Sequence, residues 1–173
     1  AGAEFKFGKF EQDWNGYSKI HQFKDNAGAG LSDSGDNIKV SKGGWYIVYL
    51  VAEVNGETKY VFPVYGAGLW GAIWGYVALN EDKNTVYGTY FSHASETPGL
   101  GAEIAGEHFQ SEFKDKHVMD GDNVGLGVVK NGKVENPEFQ VDGISGGTIT
   151  SVGVNTMLKG CMAHYTKFLT SKE

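Results

Sequence analysis

The sequence predicts an α+β domain with a mainly antiparallel sheet, built from hairpins and accompanied by a few packed helices. Three observations support this class. Segments rich in β-branched and aromatic residues occur in neighbouring pairs that are separated by short turn sequences. Glycine is abundant, at 26 residues, as expected for a chain with many turns. Apolar residues repeat at helical spacing in only two segments.

Three pairs of β-rich segments follow one another after residue 44. The pairs are WYIVYLVAEV with KYVFPVYG, GAIWGYVALN with NTVYGTYFSH, and VGLGVVK with KVENPEFQV. The segments between them contain NGET, EDK and NG, and an Asn-Gly step is typical of a hairpin turn. We therefore expect each pair to form a hairpin.

Two later segments are predicted to be helical. In LGAEIAGEHFQSEF, Ala105, Phe109 and Phe113 recur at every fourth residue with Ile104 beside them, which indicates an amphipathic helix after the turn ETPG. The second segment is SVGVNTMLKGCMAHYTKFL, whose apolar residues at three-and-four spacing are Val154, Leu158, Cys161, Tyr165 and Phe168. Either Thr150 or Ser151 is expected to be the N-cap of this second helix.

The composition indicates one soluble domain over residues 1–173, with a polar N-terminal segment over about 1–44 and a core over 45–173. The net charge of −6 without a basic cluster argues against a nucleic acid partner. All 15 basic residues are lysines. A bound phosphate would therefore be held by backbone amides, hydroxyls, lysine or a covalent bond, because no arginine can grip it.

Several short motifs do not support their usual functions. GAGLWG at residues 66–71 has the glycine spacing of a dinucleotide loop, but strand-like residues follow it, so a turn between strands is the better interpretation. The acidic segment that starts at Asp120 lacks the final glutamate of a calcium loop. His93, Glu96 and His108 have no helix to bring them together. We expect no metal site and no catalytic side chain.

The segment VDGISGGTITSVGVNTML places many hydroxyl groups and glycines just before the second helix. Free backbone amides and the helix dipole make such a position suitable for an anion. A phosphate ester of Thr148 would fit there without arginine. The alternative is that Thr148 is only a turn residue beside a capped helix, and the residues alone favour that alternative because N-caps are common.

The segment DGISGGTITS resembles the Asp-x-x-(Ser/Thr)-Gly-(small)-Thr motif of FMN-binding domains, whose last threonine is esterified to FMN phosphate by a flavin transferase. Asp142, Ser145, Gly146 and Thr148 stand at the motif positions, and Gly147 stands where the family usually has Ala or Ser. Residues 64–104, with a YGxGLW turn and an HxxETPGLG loop, are similar to the C-subunit family of bacterial sodium-translocating NADH:quinone reductases.

This resemblance implies FMN bound covalently to Thr148 and a fold of the FMN-binding domain type. The other residues that it implies at the cofactor are Gly66, Trp70, Glu96, Thr97, Leu100, Lys130, Ser145, Gly147, Ile149 and Thr150. Gly66 and Trp70 are expected against the ring or the ribityl chain, and the ETPGL loop is expected to close over it. For Lys130, a solvated lysine at the end of a strand is an equally good interpretation.

The resemblance also implies an electron carrier between NADH oxidation and quinone reduction in a sodium-pumping membrane complex. Its implied partners are the other subunits, especially a neighbouring flavin-carrying membrane subunit, and a flavin transferase during maturation. Family members carry an N-terminal membrane helix, which is missing from the sequence as given, and expose this domain outside the bacterial cytoplasmic membrane. Two alternatives are the homologous FMN-carrying G-subunit of an Rnf-type complex and a non-enzymatic extracytoplasmic ligand-binding module.

Overall fold

The computed structural model describes residues 19–22 and 48–171. Most of the predicted N-terminal polar segment therefore lies outside the described residues. In chain order the elements are β1 Lys19–Gln22, β2 Val48–Val54, β3 Glu57–Ala67, β4 Ala72–Leu79, β5 Val86–His93, a 3₁₀ helix Gly101–Ala105, α1 Glu107–Ser111, β6 Met119–Asp120, β7 Asn123–Val124, β8 Gly127–Val129, β9 Gln140–Asp142, α2 Thr148–Ala163 and α3 Thr166–Leu169.

A five-stranded sheet in the order β1-β2-β3-β4-β5 forms the body of the fold, and every neighbouring pair is antiparallel. The first hairpin turns at Asn55 and Gly56, whose φ angles of 53° and 81° suit a two-residue turn of this kind. The second predicted pair forms the β4–β5 hairpin, and GAGLWG is a turn between β3 and β4. The predicted α+β class with a mainly antiparallel sheet is confirmed.

The third predicted hairpin is wrong, because β8 and β9 pair in parallel, with Val128 opposite Val141. The expected turn at Asn131 and Gly132 does form, and Gly132 has a φ of 73°. The chain then turns a second time, where the side chain of Gln140 accepts hydrogen bonds from the amides of residues 135 and 136. Two reversals of direction bring β9 back parallel to β8.

The predicted helix over residues 100–113 is interrupted. Gly106 has an extended conformation with φ −76° and ψ 145°, and it separates the 3₁₀ helix from the short helix α1. Ile104, Phe109 and Phe113 are buried as their spacing predicted, whereas Ala105 is exposed. Glycine at the break removes the helical preference that the apolar pattern alone suggested.

The second predicted helix exists, but its start, its cap and its end differ from the prediction, since it stops at Ala163 and Thr166–Leu169 form the separate helix α3. α2 begins at Thr148, with Gly147 as the N-cap residue and no side-chain cap. Thr150 and Ser151 lie inside the first turn and are buried. The Ser151 hydroxyl donates to the carbonyl of Gly147 and accepts from the amide of Ile144, both at 2.9 Å, so it fastens the preceding turn instead of capping the helix.

Helix α2 packs on strand β3 of the sheet and also contacts β8. Its side chains of Val154, Leu158 and Met162 are fully buried in the core. Close approach to the sheet needs Gly153, because a Cβ at that position would overlap the carbonyl of Ala67 at the end of β3. The start of α2 is thereby held beside the β3–β4 turn. No helix within residues 19–22 and 48–171 has the length and apolar character needed to cross a membrane.

Candidate functional site

Three segments meet at the amino end of α2: the β3–β4 turn at residues 68–71, the loop at 94–101, and the turn at 144–147 that leads into the helix. Leu100 lies against the last of these. A Cβ built on Gly146 would be 2.7 Å from its Cδ2, and one built on Gly147 would be 3.2 Å from its carbonyl carbon. Gly146 also has a φ of 76°, which suits glycine. These glycines allow the 94–101 loop to reach the start of α2.

Thr148 is exposed and is the first residue of the 16-residue helix α2. The first intrahelical bond runs from the amide of Ser151 to the carbonyl of Gly147 at 2.9 Å. The amides of Thr148, Ile149 and Thr150 therefore have no acceptor within the helix, and no side chain caps this end. The hydroxyl of Thr148 thus stands beside free N–H groups and the positive end of the helix dipole, where a phosphate is stabilised.

Glu96 lies at the centre of the three segments and is only 4% exposed. Its carboxylate accepts a hydrogen bond from the hydroxyl of Thr150 and another, at 2.8 Å, from the amide of Trp70. Burial raises the pKa of this carboxyl, but hydrogen bonds from Thr150 and from the amides of residues 69–71 outweigh burial and lower the pKa overall. Glu96 is therefore an ionised group inside the protein, and its oxygens already have protein donors.

The 94–101 loop is held by further hydrogen bonds along its length. The ring Nδ1 of His93 accepts from the amide of Glu96 at 3.1 Å, and the hydroxyl of Ser95 donates to the carbonyl of Trp70 at 3.0 Å. The amide of Gly99 donates to the carboxylate of Glu103 at 3.0 Å. The histidine and the glutamate of the HxxE spacing are thus neighbours in the loop, and His108 pairs with Glu112 elsewhere.

Large apolar side chains are exposed on the β3–β4 turn, on the 94–101 loop and on the first turn of α2. Trp70 is 65% exposed, Ile149 58% and Leu100 42%. Leu69 in the same turn as Trp70, and Val152 one turn further along α2 than Thr148, are also exposed. Exposed aromatic and aliphatic side chains close to an uncapped helix terminus are typical of a site for a flat, amphipathic ligand.

The remaining predicted site residues have varied positions. Gly66 faces α2, since a Cβ on it would be 2.8 Å from that of Met157, so this glycine serves the packing of the helix. Thr97 is exposed, and its carbonyl accepts from the amides of Leu100 and Ala102 at 3.1 Å. Ser145 is exposed in the turn before α2. Thr150, another predicted site residue, is buried, and its hydroxyl donates to Glu96 instead of facing solvent.

The turn that follows β8 is fastened to the start of the 142–148 segment. The Asp142 carboxylate accepts from the amides of Gly132 and Lys133 at 2.8 and 3.3 Å, and the side chain of Asn131 donates to the carbonyl of Gly143 at 3.0 Å. Lys130 is exposed directly after β8, at the beginning of this turn. This position fits either interpretation of Lys130, a solvated lysine at a strand end or a cofactor contact.

Sequence reasoning missed four residues that shape this site. Leu69 and Val152 add exposed apolar surface, and Gly68 and Gly101 leave room for the Glu96 carboxylate, because a Cβ on either would lie 2.6 Å from one of its oxygens. The glycines are visible in the sequence, but their reason is a contact between segments that are distant in the chain. Only the folded structure gives that reason.

The FMN-binding domain family matches residues 68–163, a range that contains all three segments of the site. This match covers more than half of the chain. The chain therefore belongs to the FMN-binding domain family.

The relatives within this family are proteins named as the C-subunit of the Na⁺-translocating NADH-quinone reductase. The crystal structure of the one from Parabacteroides distasonis is 39% identical, with a TM-score of 0.80, and the match covers 99% of this chain and 87% of that one. The protein from Pasteurella multocida is 45% identical over 65% of this chain, and that from Vibrio anguillarum is 36% identical over 87% of it. The chain spans 44% and 61% of the lengths of these two proteins. The predicted resemblance to the C-subunit family is confirmed.

Proposed function

We propose that this chain is an electron-transfer domain that carries FMN as a phosphoester on Thr148. The observation that supports the proposal most directly is the position of Thr148: exposed, at the uncapped amino end of α2, with the exposed apolar side chains of Ile149 and Val152 in the same part of the helix. The family match and the C-subunit relatives agree with this interpretation. FMN, when bound, supplies reversible electron transfer that no side chain of the protein provides.

The residues at the start of α2 fit the phosphate of such a cofactor. A diester of Thr148 carries a single negative charge, and the amides of Thr148, Ile149 and Thr150 are available to donate to it. The helix dipole adds to this stabilisation. Arginine is absent from the whole chain, which agrees with a phosphate that is held covalently and by amides.

The exposed side chains fit the flat ring of the cofactor. Trp70 and Leu69 on one side, and Leu100 and Ile149 on the other, would pack on an apolar ring and exclude water from part of its surface. Thr97 and Ser145 are exposed beside them and can offer polar contacts. Gly147 would contribute by letting Leu100 approach the turn before Thr148, and Lys130 would contact the cofactor from the turn that Asp142 fastens.

At the level of the complete protein, we propose that the domain relays electrons between NADH oxidation and quinone reduction in a sodium-pumping complex. Its partners would be the other subunits, above all a neighbouring flavin-carrying membrane subunit, and a flavin transferase that recognises Asp142, Ser145, Gly146 and Thr148. We propose a single domain over residues 1–173, joined to a membrane helix and placed on the outer side of the bacterial cytoplasmic membrane. The names of the relatives favour this role over that of the G-subunit of an Rnf-type complex.

The proposal is tested by co-expressing the domain with a flavin transferase and measuring its intact mass and its visible spectrum. The wild-type protein should gain the mass of one FMN moiety on the peptide that contains Thr148, and Thr148→Ala should abolish the gain. Thr156→Ala is the matched control, because Thr156 is another exposed threonine of α2. A wild-type protein that stays colourless with an active transferase would instead favour the ligand-binding module.

A further inference from the structure

Within residues 48–171, Glu96 is the only acidic side chain that is buried. A buried carboxylate is stable only if its charge is satisfied by donors. Here those donors come from two other segments, since Thr150 belongs to α2 and Trp70 belongs to the β3–β4 turn. The side chain of Glu96 therefore connects the 94–101 loop with the β3–β4 turn and with the first turn of α2.

The surrounding backbone is shaped to this carboxylate. Gly68 and Gly101 flank it, and a Cβ on Gly68 would lie 2.6 Å from Oε1, whereas a Cβ on Gly101 would lie 2.6 Å from Oε2. Any other residue at these two positions would push the carboxylate away from its donors. Neither glycine has a φ in the left-handed region. Glycine is therefore required here by the close approach of the carboxylate to the backbone, and not by the backbone conformation.

The two residues that donate to Glu96 are linked directly to exposed apolar side chains. Trp70 carries both the amide that binds Glu96 and the exposed indole, and Thr150 follows Ile149 directly in the chain. Leu100 is in the same loop as Glu96 and lies on Gly146. The bonds to Glu96 thus determine how far the Trp70 turn stands from the amino end of α2, where Thr148 is exposed.

We propose that Glu96 is a positioning residue: its carboxylate sets the spacing between the Trp70 turn and the start of α2, and it acts on FMN through Trp70 and Thr150 without contacting the cofactor. This inference rests on the proposed function. It differs from the role that resemblance alone implied for Glu96, which was a direct cofactor contact in the ETPGL loop.

The decisive comparison is between Thr150→Val and Thr150→Ser. Valine keeps the shape of the side chain and removes the donor to Glu96, while serine keeps the hydroxyl; neither change touches the carboxylate itself. If Glu96 acts through this bond, Thr150→Val should reproduce the effect of Glu96→Ala, and Thr150→Ser should restore wild-type behaviour. A direct contact between Glu96 and FMN predicts that Thr150→Val leaves the bound flavin unchanged.

Two measurements are made on each variant, with Glu107→Gln as the control because Glu107 is an exposed glutamate nearby in the chain. In the protein made without a transferase, hydrogen exchange at the amide of Trp70 should be at least about tenfold faster in Glu96→Ala, because its charge-assisted bond is lost. Exchange there should also be faster in Thr150→Val, because the Glu96 carboxylate loses the bond that holds it against this amide. In the co-expressed protein, the share of molecules with FMN on Thr148 should fall several-fold, and the flavin's visible circular dichroism should change.

The inference is overturned if wild-type protein is flavinylated and Thr150→Val matches it in exchange at Trp70, in FMN content and in circular dichroism. It is also overturned if Glu96→Ala changes the flavin spectrum while Thr150→Val does not. If wild-type protein takes up no FMN, the proposed function fails instead, and exchange at Trp70 still decides whether Glu96 holds the turn. If Glu96→Ala fails to fold, Glu96→Gln replaces it in both measurements. The comparison of Thr150→Val with Thr150→Ser then decides.

Discussion

At the scale of single residues, Glu96 is a buried carboxylate whose hydrogen bonds organise the site. Placing a carboxylate at 4% exposure is unfavourable unless donors compensate for the lost hydration. The Thr150 hydroxyl and the amides of residues 69–71 do so, and their effect exceeds that of burial, since the pKa is lowered overall. The charge of Glu96 is therefore coupled to the stability of the fold.

This coupling predicts an acid-dependent loss of stability. Because the pKa in the folded state lies below the ordinary value of 4.5, the stabilising contribution of Glu96 is fully present above the unfolded pKa and is lost as the pH falls through the folded pKa. We expect the difference in free energy of unfolding between wild type and Glu96→Gln to be constant near neutral pH and to shrink in acid. Urea unfolding of both proteins over this range measures it.

The exposed carboxylate of Glu107 provides the control for this experiment. Glu107→Gln should leave the pH dependence of unfolding as it is in wild type. A difference between wild type and Glu96→Gln that stayed the same from neutral pH down to strong acid would contradict the coupling.

At the scale of elements, helix α2 organises both the core and the site. Its buried face packs on the sheet through Val154 and Leu158, while its first turn presents Thr148 and Ile149 to solvent. Gly153 lets this helix approach the end of β3, because a side chain there would overlap the carbonyl of Ala67. The helix can therefore approach the sheet this closely because residue 153 has no Cβ.

Two glycines of α2 therefore give opposite predictions for the same substitution. Gly153→Ala should destabilise the domain by about 1–3 kcal/mol, because the helix must move away from the sheet. Gly160→Ala should stabilise it by about 0.5–1 kcal/mol, since no atom lies within 4 Å of the new Cβ and alanine favours the helix. Thermal and urea unfolding test both, and equal effects of the two changes would show that the close approach is unimportant.

The elements also show what the sequence could predict. The first two hairpins were predictable because β-rich runs flank short turn sequences, and the buried face of α2 was predictable from apolar residues at three-and-four spacing. The parallel pairing of β8 with β9 was not, because it depends on a second turn held by the side chain of Gln140. Thr150 and Ser151 are residue types that commonly cap helices, so the prediction placed the cap of α2 there. In the structure their hydroxyls instead donate to Glu96 and to the carbonyl of Gly147.

The site was predictable to a similar extent. Resemblance pointed to Thr148, Trp70 and Leu100, and the structure brings the segments of all three together. The inward direction of the Glu96 carboxylate follows from contacts over long sequence distances, which local patterns do not encode. The role of Gly68 and Gly101 as space for that carboxylate was missed for the same reason.

At the scale of the whole molecule, an aromatic cluster joins the sheet to the C-terminal elements. The ring of Phe62 in β3 lies 4.6 Å from that of Tyr165 and 5.7 Å from that of Tyr49, measured between centroids. Tyr49 and Phe168 are 4.4 Å apart. Because Phe62 is fully buried, it contributes to the stability of the entire domain.

Removal of this ring should affect the global stability. Phe62→Ala is expected to cost about 3–5 kcal/mol, a large part of the roughly 5–15 kcal/mol that stabilises a typical domain. Tyr65→Ala on the same strand is the control, since Tyr65 is 68% exposed, and its change should stay within about 0.5 kcal/mol. Urea unfolding compares the two, and a small effect of Phe62→Ala would place the stabilising core elsewhere.

The bond between Thr150 and Glu96 joins residues that are 54 positions apart in the chain. Such a contact requires residues 96–150 to be brought together, so it is absent from a chain in which this region is unfolded. If the transferase needs the assembled surface around Thr148, it acts on finished domains and passes over unfolded ones. Under the proposed function, FMN on Thr148 would then report that the domain is correctly folded.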